Sequence, residues 1–271
     1  MNDQFVKLSR LNLKYLNYEL YKNLLMKLEK NIVSTGYWLF RWRSYFPIIL
    51  LIIFIPAMAE YEYVKGDRGM TTNWGIFSLI IGMIGLSFRI LVVGHTPQNT
   101  SGRNTREQIA DVLNTSGWYS VVRHPLYLGN YTMGLGVSLF PFVWWLPIIY
   151  TLAFALYYER IMAAEEDFLR RKFGEDFEDW SEKTPGFFPD FSRWDSPELS
   201  FSLKNILRRE YSSLFALIFS FTALDLIGNY LVIQKLYVVP MWNILFWVTL
   251  VAYLILRFLK RHSNFLNVKG R

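Results

Sequence analysis

The sequence contains no cysteine and only three histidines among its 271 residues. Without cysteine, a disulfide framework, a thiolate nucleophile and a cysteine-based metal site are all excluded. We also expect no cleavable signal peptide, because the first residues are polar and the first apolar run begins late. Little polar chain is left for a separate soluble domain, since 52% of the residues are hydrophobic and 18% are aromatic. Soluble domains of this length seldom have such a composition, which indicates a membrane protein.

Long apolar stretches are what the sequence does contain. A membrane-spanning helix needs roughly 20 apolar residues. The stretch 126–158 is too long for one span and is interrupted by Pro141 and Pro147, which predicts a tight helical hairpin. The predicted fold is an all-α integral membrane protein with about six transmembrane helices, and the four spans outside the hairpin are 45–59, 74–93, 212–233 and 241–259.

Basic residues are concentrated at the two ends of the chain. The net charge is +7, and residues 1–43 hold eight lysines and arginines against three acidic residues. Leucines at positions 13, 16, 20, 24 and 28 predict that residues 1–36 form a basic, amphipathic helical arm on the membrane surface or on the protein itself. Basic segments of membrane proteins stay on the cytoplasmic side, so we expect both termini in the cytoplasm.

Two charged residues lie inside predicted spans, and each has two interpretations. Arg89 is close to the end of its span, where it could extend to the membrane interface or have a functional role. Asp225 could form a packing hydrogen bond with Asn229 or a neighbouring span, or it could contact a substrate or ion.

The start of the hairpin carries a group of polar and aromatic residues. Pro125 suits the first position of a helix, and the free N–H groups there can bind an anionic group. Tyr119 and Tyr127 can each supply a stacking face and a hydroxyl, while Gly129 allows close approach of a ligand or helix. Arg123 and His124 could instead be an interfacial anchor pair with no ligand.

The end of the hairpin carries a second polar group. Glu165 and Glu166 lie where a membrane helix emerges into water, and a glutamate can accept hydrogen bonds from a ribose or bind a cation. Arg160 precedes Glu165 by five residues, so at ~100° per residue the two are about 140° apart on a helix. They are therefore expected to contact two different ligands; the alternative is a solvated amphipathic helix.

The order and spacing of these residues resemble a known family. The pattern Tyr-Ser-x-x-Arg-His-Pro-x-Tyr-x-Gly, a hairpin, an arginine, Glu-Glu-x-x-Leu and Phe-Gly-x-x-aromatic is similar to isoprenylcysteine carboxyl methyltransferases and their phospholipid methyltransferase relatives. The resemblance covers about residues 111–185. It implies a multi-span membrane enzyme that uses S-adenosylmethionine and contains no metal.

The same resemblance implies roles for individual residues. Arg160 and Glu165 are expected to be catalytic, at the junction of cofactor and acceptor, and Arg103 and Arg123 are expected to bind the substrate. The expected cofactor-binding residues are Tyr119, His124, Pro125, Leu126, Tyr127, Gly129, Glu166 and Phe177. Phe177 and Trp180 stand where the family often has tyrosines, so stacking is expected there rather than a hydroxyl contact.

The implied organisation has four parts: the arm 1–36, two N-terminal transmembrane helices in 37–93, a catalytic methyltransferase core in 94–211, and two C-terminal transmembrane helices with a basic tail in 212–271. Three features depart from the prenylcysteine enzymes, namely the segments 40–47 and 100–105 and the last two spans. The full pattern is more similar to bacterial members that methylate a lipid A phosphate. We therefore expect the bacterial inner membrane as the location, the 1-phosphate of lipid A as the acceptor, and no nucleic-acid partner.

Other functions remain open on the sequence alone. The acceptor could instead be a prenylcysteine carboxylate or a phospholipid headgroup. A reductase of the sterol type would have a related membrane fold but would bind NADPH. A transporter or non-enzymatic membrane protein would place polar residues near the middle of several spans, whereas here Asp225 and a few hydroxyl groups are the candidates.

Overall fold

The computed structural model describes residues 2–43, 45–97 and 108–271. Within these ranges the chain is helical, and the β-structure there is one isolated bridge between Gly117 and Asp195. This confirms the predicted all-α fold. The α-helices are α1 (Asn2–Trp42), α2 (Phe46–Ala59), α3 (Arg68–Gly94), α4 (Trp118–Val121), α5 (Pro125–Leu139), α6 (Trp145–Phe173), α7 (Glu175–Lys183), α8 (Leu203–Ile233) and α9 (Pro240–His262).

Three helices in the described ranges are long and apolar enough to cross a membrane, namely α3, α8 and α9. Helices α2 and α5 have 14 and 15 residues, fewer than the roughly 20 that a straight span requires. Helix α6 has 29 residues, but its second half is strongly charged. An integral membrane protein is thus supported, while the full set of six spans stays a prediction.

Small residues let α3 and α5 pack closely. A Cβ atom added at Gly85 would lie 2.6 Å from the backbone nitrogen of Met133, and one at Gly136 would lie 2.5 Å from that of Gly82. Both distances are too short for a side chain, so the two backbones are in direct contact. Small residues at helix interfaces are typical of packing in membranes.

The predicted hairpin is confirmed, because α5 and α6 run back along each other after a turn that contains Pro141. The Tyr150 hydroxyl donates to the carbonyl of Tyr131 at 3.1 Å, and the Tyr131 hydroxyl is 3.1 Å from that of Thr151. These contacts fix the register of the two helices. The start of α5 therefore lies beside the charged second half of α6.

Helix α1 continues past the predicted boundary at residue 36 and ends at Trp42. It crosses α6 at Gly36, where an added Cβ atom would be 1.9 Å from the carbonyl oxygen of Arg160. Next to this crossing, the Tyr37 hydroxyl donates to Asp167 at 2.8 Å. Packing against α6 thus extends the helix and brings its C-terminal end to the hairpin.

Polar residues also meet at the other end of the bundle. Asp225 of α8 accepts a hydrogen bond from the backbone N–H of Val239 at 2.8 Å, just before α9 begins. Asn229 accepts one from the Tyr63 hydroxyl at 2.8 Å and one from Arg68 at 3.2 Å. These contacts agree with the packing interpretation of Asp225.

Candidate functional site

A cavity of about 520 Å³ lies where α3 ends and α5 begins. Both polar groups of the hairpin contribute to its wall, so the start of α5 and the charged half of α6 share one chamber, as predicted. Its described lining residues are Phe40, Arg43, Arg89, Gln108, Ile109, Ala110, Val112, Leu113, Asn114, Tyr119, Arg123, His124, Pro125, Leu126, Tyr127, Asn130, Tyr158, Ile161, Glu165, Phe168, Leu169, Trp180, Arg209 and Glu210.

Glu165 is held from two sides at the centre of this wall. The Tyr127 hydroxyl donates to its Oε1 at 2.5 Å. Nδ1 of His124 is 3.5 Å from its Oε2. The rings of His124 and Tyr127 are stacked, with centroids 5.7 Å apart and planes inclined by 17°. The hairpin thus places one oriented carboxylate beside two aromatic faces.

Glu166 contacts the same histidine from behind and does not line the cavity. Nε2 of His124 is 2.9 Å from Oε1 of Glu166, and Nε of Arg123 is also 2.9 Å from that oxygen. Glu165 or Glu166 was expected to contact the cofactor, and helical phase turns only Glu165 toward the cavity. Consecutive residues differ by about 100° around a helix, so Glu165 faces the cavity while Glu166 faces its wall.

The two carboxylates change the protonation of His124. Burial alone would lower its pKa, but the hydrogen bonds and charges of Glu165 and Glu166 outweigh burial and raise the pKa above 6.5. Burial likewise opposes ionisation of Glu166, but the hydrogen bond and charge of His124, with the charge of Arg123, bring its pKa below 4.5. The imidazolium form of His124 is therefore favoured.

Five of the residues expected to bind the cofactor line this cavity, namely Tyr119, His124, Pro125, Leu126 and Tyr127, and their cofactor role stays a prediction. Trp180 lines it as well and donates from its indole nitrogen to the carbonyl of Tyr119 at 3.0 Å. Burial, the largest influence, raises the pKa of the Tyr119 hydroxyl to about 12, so it is neutral and can donate a hydrogen bond.

Two other expected cofactor residues lie outside the cavity lining. Gly129 faces α3, where an added Cβ atom would be 2.5 Å from Cγ of Arg89. Phe177 is fully buried and packs edge-on against Trp180, with ring centroids 5.8 Å apart. Gly129 thus permits close contact between α5 and α3, and Phe177 supports Trp180, which lines the cavity.

Arg160, expected to be catalytic, is also not among the lining residues. Its Nη1 donates to the carbonyl of Leu156 at 2.7 Å and is 3.6 Å from Glu159. The helical angle between positions 160 and 165 explains the difference, because the face of α6 that turns Glu165 into the cavity turns Arg160 away. Arg123 lines the cavity, with Nη1 donating to the carbonyl of Ser181, whereas Arg103 is outside the described residues.

The sequence did not identify the ion pair at the inner end of the cavity. Arg89 of α3 donates from Nε and Nη2 to the two carboxylate oxygens of Glu210 in α8, at 2.9 and 2.7 Å. Its Nη1 donates to Asn130 of α5 at 2.5 Å. Arg89 is therefore held by partners within the bundle. An arginine within an apolar span was the available signal, but its partner is 121 residues away.

Two further arginines that line the cavity, Arg43 and Arg209, were also missed. Arg43 directly follows α1, and Arg209 belongs to α8. The segment 40–47 was noted as unusual, and Arg43 lies within it. The positions of these arginines depend on contacts between distant helices, which the sequence pattern did not reveal.

Comparisons with known proteins match parts of the chain. Residues 76–176 match the family described as phospholipid methyltransferase. The nickel-cobalt-cadmium resistance protein NccN of Alcaligenes xylosoxydans xylosoxydans is 35% identical over 57% of this chain and 66% of its own. The cobalt-zinc-cadmium resistance protein CzcN of Cupriavidus metallidurans is 35% identical over 53% of this chain and 62% of its own. Protein-S-isoprenylcysteine O-methyltransferase B of Arabidopsis thaliana is 25% identical over 60% of this chain and 78% of its own.

The chain spans less than two thirds of the length of NccN and of CzcN. No solved structure gives a significant match. Within the described ranges, no group of three or more histidine, aspartate and glutamate side chains could hold a metal ion. Residues 76–176 thus resemble the phospholipid methyltransferase family, and part of the chain is similar to a protein methyltransferase.

Proposed function

We propose that this protein transfers a methyl group from S-adenosylmethionine to an anionic oxygen of a membrane lipid, with the 1-phosphate of lipid A as the best candidate. The observation that carries the proposal is the cavity between α5 and α6, where Tyr127 and His124 orient Glu165. The family match, which covers the residues from 76 to 176, includes these three residues.

The chemistry of the cavity wall fits S-adenosylmethionine, which supplies a methyl group activated by a positively charged sulfur. The fit includes a carboxylate for positive charge, aromatic faces for a purine, and a volume of about 520 Å³, similar to other small-molecule sites. Gln108 gives a further sign of a polar ligand. Its amide oxygen and nitrogen are buried in the cavity wall, and neither has a hydrogen-bond partner among the described residues. Buried amides are normally paired, so a ligand is expected to complete this site.

The residues of the chain would act mainly by positioning. Tyr119, His124 and Tyr127 would hold the cofactor, and Glu165 would favour positive charge beside them. A phosphate oxygen is ionised near neutral pH, so no strong general base is required. Alignment of two bound reactants in a site that excludes water can contribute about 7–11 kcal/mol to lowering the barrier.

A lipid acceptor fits the surroundings of the site. The second half of α6 forms part of the cavity wall, and the first half of α6 exposes Leu152 and Leu156. Exposed apolar side chains on such a helix are suited to contact with acyl chains. The acceptor would therefore keep its chains in the bilayer and present only its headgroup to the cavity.

Two measurements test this proposal. Calorimetric titration of the purified protein in detergent should show binding of S-adenosylmethionine and not of NADPH. Mass spectrometry of membrane lipids from cells with and without the gene should then show a lipid A species heavier by one CH₂ group. Binding of NADPH alone would support the sterol-type reductase instead. A mass gain on another phospholipid would keep the methyltransferase and change the acceptor.

A further inference from the structure

The cavity wall has two sources within the chain. Most lining residues lie in the segment 76–176 that matches the methyltransferase family. Outside the matched segment, α1 and the turn after it add Phe40 and Arg43, α7 adds Trp180, and α8 adds Arg209 and Glu210. The matched segment is expected to carry the chemistry shared with the family. The added residues are therefore candidates for selecting the acceptor.

Arg43 is fixed at one edge of this cavity. Its guanidinium lies over the ring of Phe40, with its central carbon 3.9 Å from the ring centroid. Phe40 is buried against Tyr157 and Ile161 of α6. Nη1 of Arg43 is 3.7 Å from Oε1 of Glu165. The stacking contact thus places a cation beside the central carboxylate of the site.

The edge at Arg43 is more accessible than the opposite end. The side chains of Arg43 and Glu165 are 18% and 24% exposed, whereas those of Arg89 and Glu210 are 12% and 4% exposed. Arg43 and Glu165 are therefore the more accessible of the two ion pairs, and Arg89 and Glu210 are the more deeply buried.

The surface next to this edge is apolar and aromatic. Trp38 and Trp42 of α1 are exposed, as is Tyr45 just beyond it, and the three rings form a continuous row with centroids 6.4 and 5.6 Å apart. Helix α2 follows directly and exposes Ile48, Ile52 and Ile55. Exposed tryptophan and tyrosine are typical of the membrane interface, and exposed isoleucines are typical of the lipid-facing region. An amphiphile thus finds a cation and an apolar surface side by side.

We propose that Arg43 binds the phosphate headgroup of the lipid acceptor, at an entrance formed by the end of α1 and by α6; this inference rests on the proposed function. A guanidinium suits the role because it can form two parallel hydrogen bonds to phosphate. The position of Arg43 also matters electrostatically, because Glu165 alone would repel an anion. Arg43 places a positive charge between that carboxylate and the incoming headgroup.

The reaction at this subsite balances without a further reactant. A lone pair of the phosphate oxygen forms the new C–O bond while the S–C bond of the methyl donor breaks. The electron pair of the broken bond stays on sulfur, which becomes a neutral thioether. The phosphate loses one negative charge and no proton is transferred. The product therefore binds Arg43 less strongly than the substrate, which favours its release.

The test compares Arg43→Ala and Arg43→Lys with the control Arg41→Ala. Arg41 is an exposed arginine in the last turn of α1, two residues before Arg43, and it does not line the cavity. The first measurement is calorimetric binding of a short-chain phosphatidic acid to the cofactor-free protein in detergent. The second is the KM for phosphatidic acid or lipid A in phosphatidylcholine vesicles with radiolabelled S-adenosylmethionine. The affinity for S-adenosylmethionine and the thermal unfolding temperature are measured for every variant.

We expect Arg43→Ala to weaken phosphate-lipid binding and kcat/KM by about 10- to 150-fold, the factor that corresponds to one hydrogen-bonded charged contact. Arg43→Lys should retain part of the binding, because the charge remains while the paired geometry is lost. The affinity for S-adenosylmethionine should stay unchanged, as should all properties of Arg41→Ala. Inorganic phosphate should compete only weakly, because it lacks the acyl chains that the apolar surface contacts.

Three results would overturn this inference. The first is normal phosphate-lipid affinity in Arg43→Ala. The second is an equal loss in Arg41→Ala. The third is a loss in Arg160→Ala that Arg43→Ala does not show. Failure of the proposed function looks different, because the wild-type protein would then neither bind S-adenosylmethionine nor methylate any lipid.

Discussion

Buried polar residues meet at both ends of the helical bundle, with opposite character. At one end, His124, Glu165 and their neighbours surround a cavity of about 520 Å³. The far-end cluster, which we define as Tyr61, Tyr63, Arg68, Asp225 and Asn229, lines neither of the two cavities that the structure describes. Both ends therefore bury polar groups. They differ in the space beside those groups, because the cavity of about 520 Å³ lies at one end.

The far-end cluster uses its polar groups to join elements of the chain. Asp225 binds the backbone before α9, and Asn229 donates to the carbonyl of Tyr237 at 3.0 Å. The guanidinium of Arg68 lies over the Tyr237 ring at 3.8 Å. These contacts fix the loop between α8 and α9 to the loop before α3. An ionisable residue within a membrane span can thus be explained by packing.

The cavity end keeps polar groups directed at open space. Both amide atoms of Gln108 lack a partner among the residues that the structure describes, and four arginines line the wall together with two glutamates. An unpaired buried amide is retained at a cost in stability unless a ligand binds it. The comparison therefore separates an end with a cavity from an end where polar groups join elements of the chain.

The strongest test of the cavity end is Glu165→Gln. We expect methyl transfer to fall by about 10²–10³-fold, because removing one preoriented group that stabilises charge in an active site commonly has this effect. The measurement is transfer of radiolabelled methyl to phosphate-containing vesicles. Glu159→Gln is the matched control, since Glu159 lies on the same helix, is 59% exposed and contacts Arg160. Equal losses of methyl transfer in both variants would show that Glu165 has no special role.

A large effect on stability is expected from Glu210→Gln. Breaking a buried ion pair by altering one partner typically costs 3–5 kcal/mol, because the other charge stays buried. Thermal or denaturant unfolding in detergent would measure the loss. The double variant Arg89→Met with Glu210→Leu should recover much of the stability, because no buried charge is left. If the double variant were no more stable than Glu210→Gln, the pair would not explain the loss.

A smaller effect is expected at the far end. Asp225→Ala leaves the backbone N–H of Val239 without its acceptor, which should lower the free energy of unfolding by about 1–3 kcal/mol. The affinity for S-adenosylmethionine should not change. Ser220→Ala is the control on the same helix, because its exposed hydroxyl bonds only within α8. A loss of cofactor affinity in Asp225→Ala would contradict the division between the two ends.

The smallest effect concerns pH. The pKa of His124 is above 6.5 in the folded state, so the stabilisation from its two carboxylate contacts is complete below pH 6.5 and is lost as pH rises through the folded-state pKa. The pKa of Glu166 is below 4.5, so its contribution is present above pH 4.5 and is lost as pH falls through the folded-state pKa. The unfolding temperature should therefore decline as pH rises through the folded-state pKa of His124, and also as pH falls through that of Glu166.

The variant His124→Asn should remove the decline in unfolding temperature on the alkaline side. The decline on the acidic side should remain, but it should be smaller than in the wild type. His95→Asn is the control, because His95 is bonded to the carbonyl of Leu199 away from both glutamates. An unchanged alkaline decline in His124→Asn would assign the pH dependence to other groups.

Much of the cavity end could be predicted from the sequence. Tyr119, His124 and Tyr127 lie close together in the chain, and a hairpin of antiparallel helices necessarily returns Glu165 to them. The individual roles were harder to predict. Arg160 and Glu166 are near Glu165 in sequence, but their positions around the helix turn them away from the cavity. Gly129 was expected to allow close approach of a ligand or a helix, and in the structure α3 is what approaches it.

The sequence by itself determined the helical class, the hairpin at Pro141 and the cluster of polar residues at its two ends. Each of these depends on apolar length, helix-breaking residues or near neighbours, which are local properties. Only the tertiary structure decided which charges meet across the bundle. Arg43 reaches Glu165 because α1 crosses α6 at Gly36, and Arg89 reaches Glu210 because α3 packs beside α8. Such pairings depend on the crossing and rotation of distant helices, for which one sequence contains no local signal.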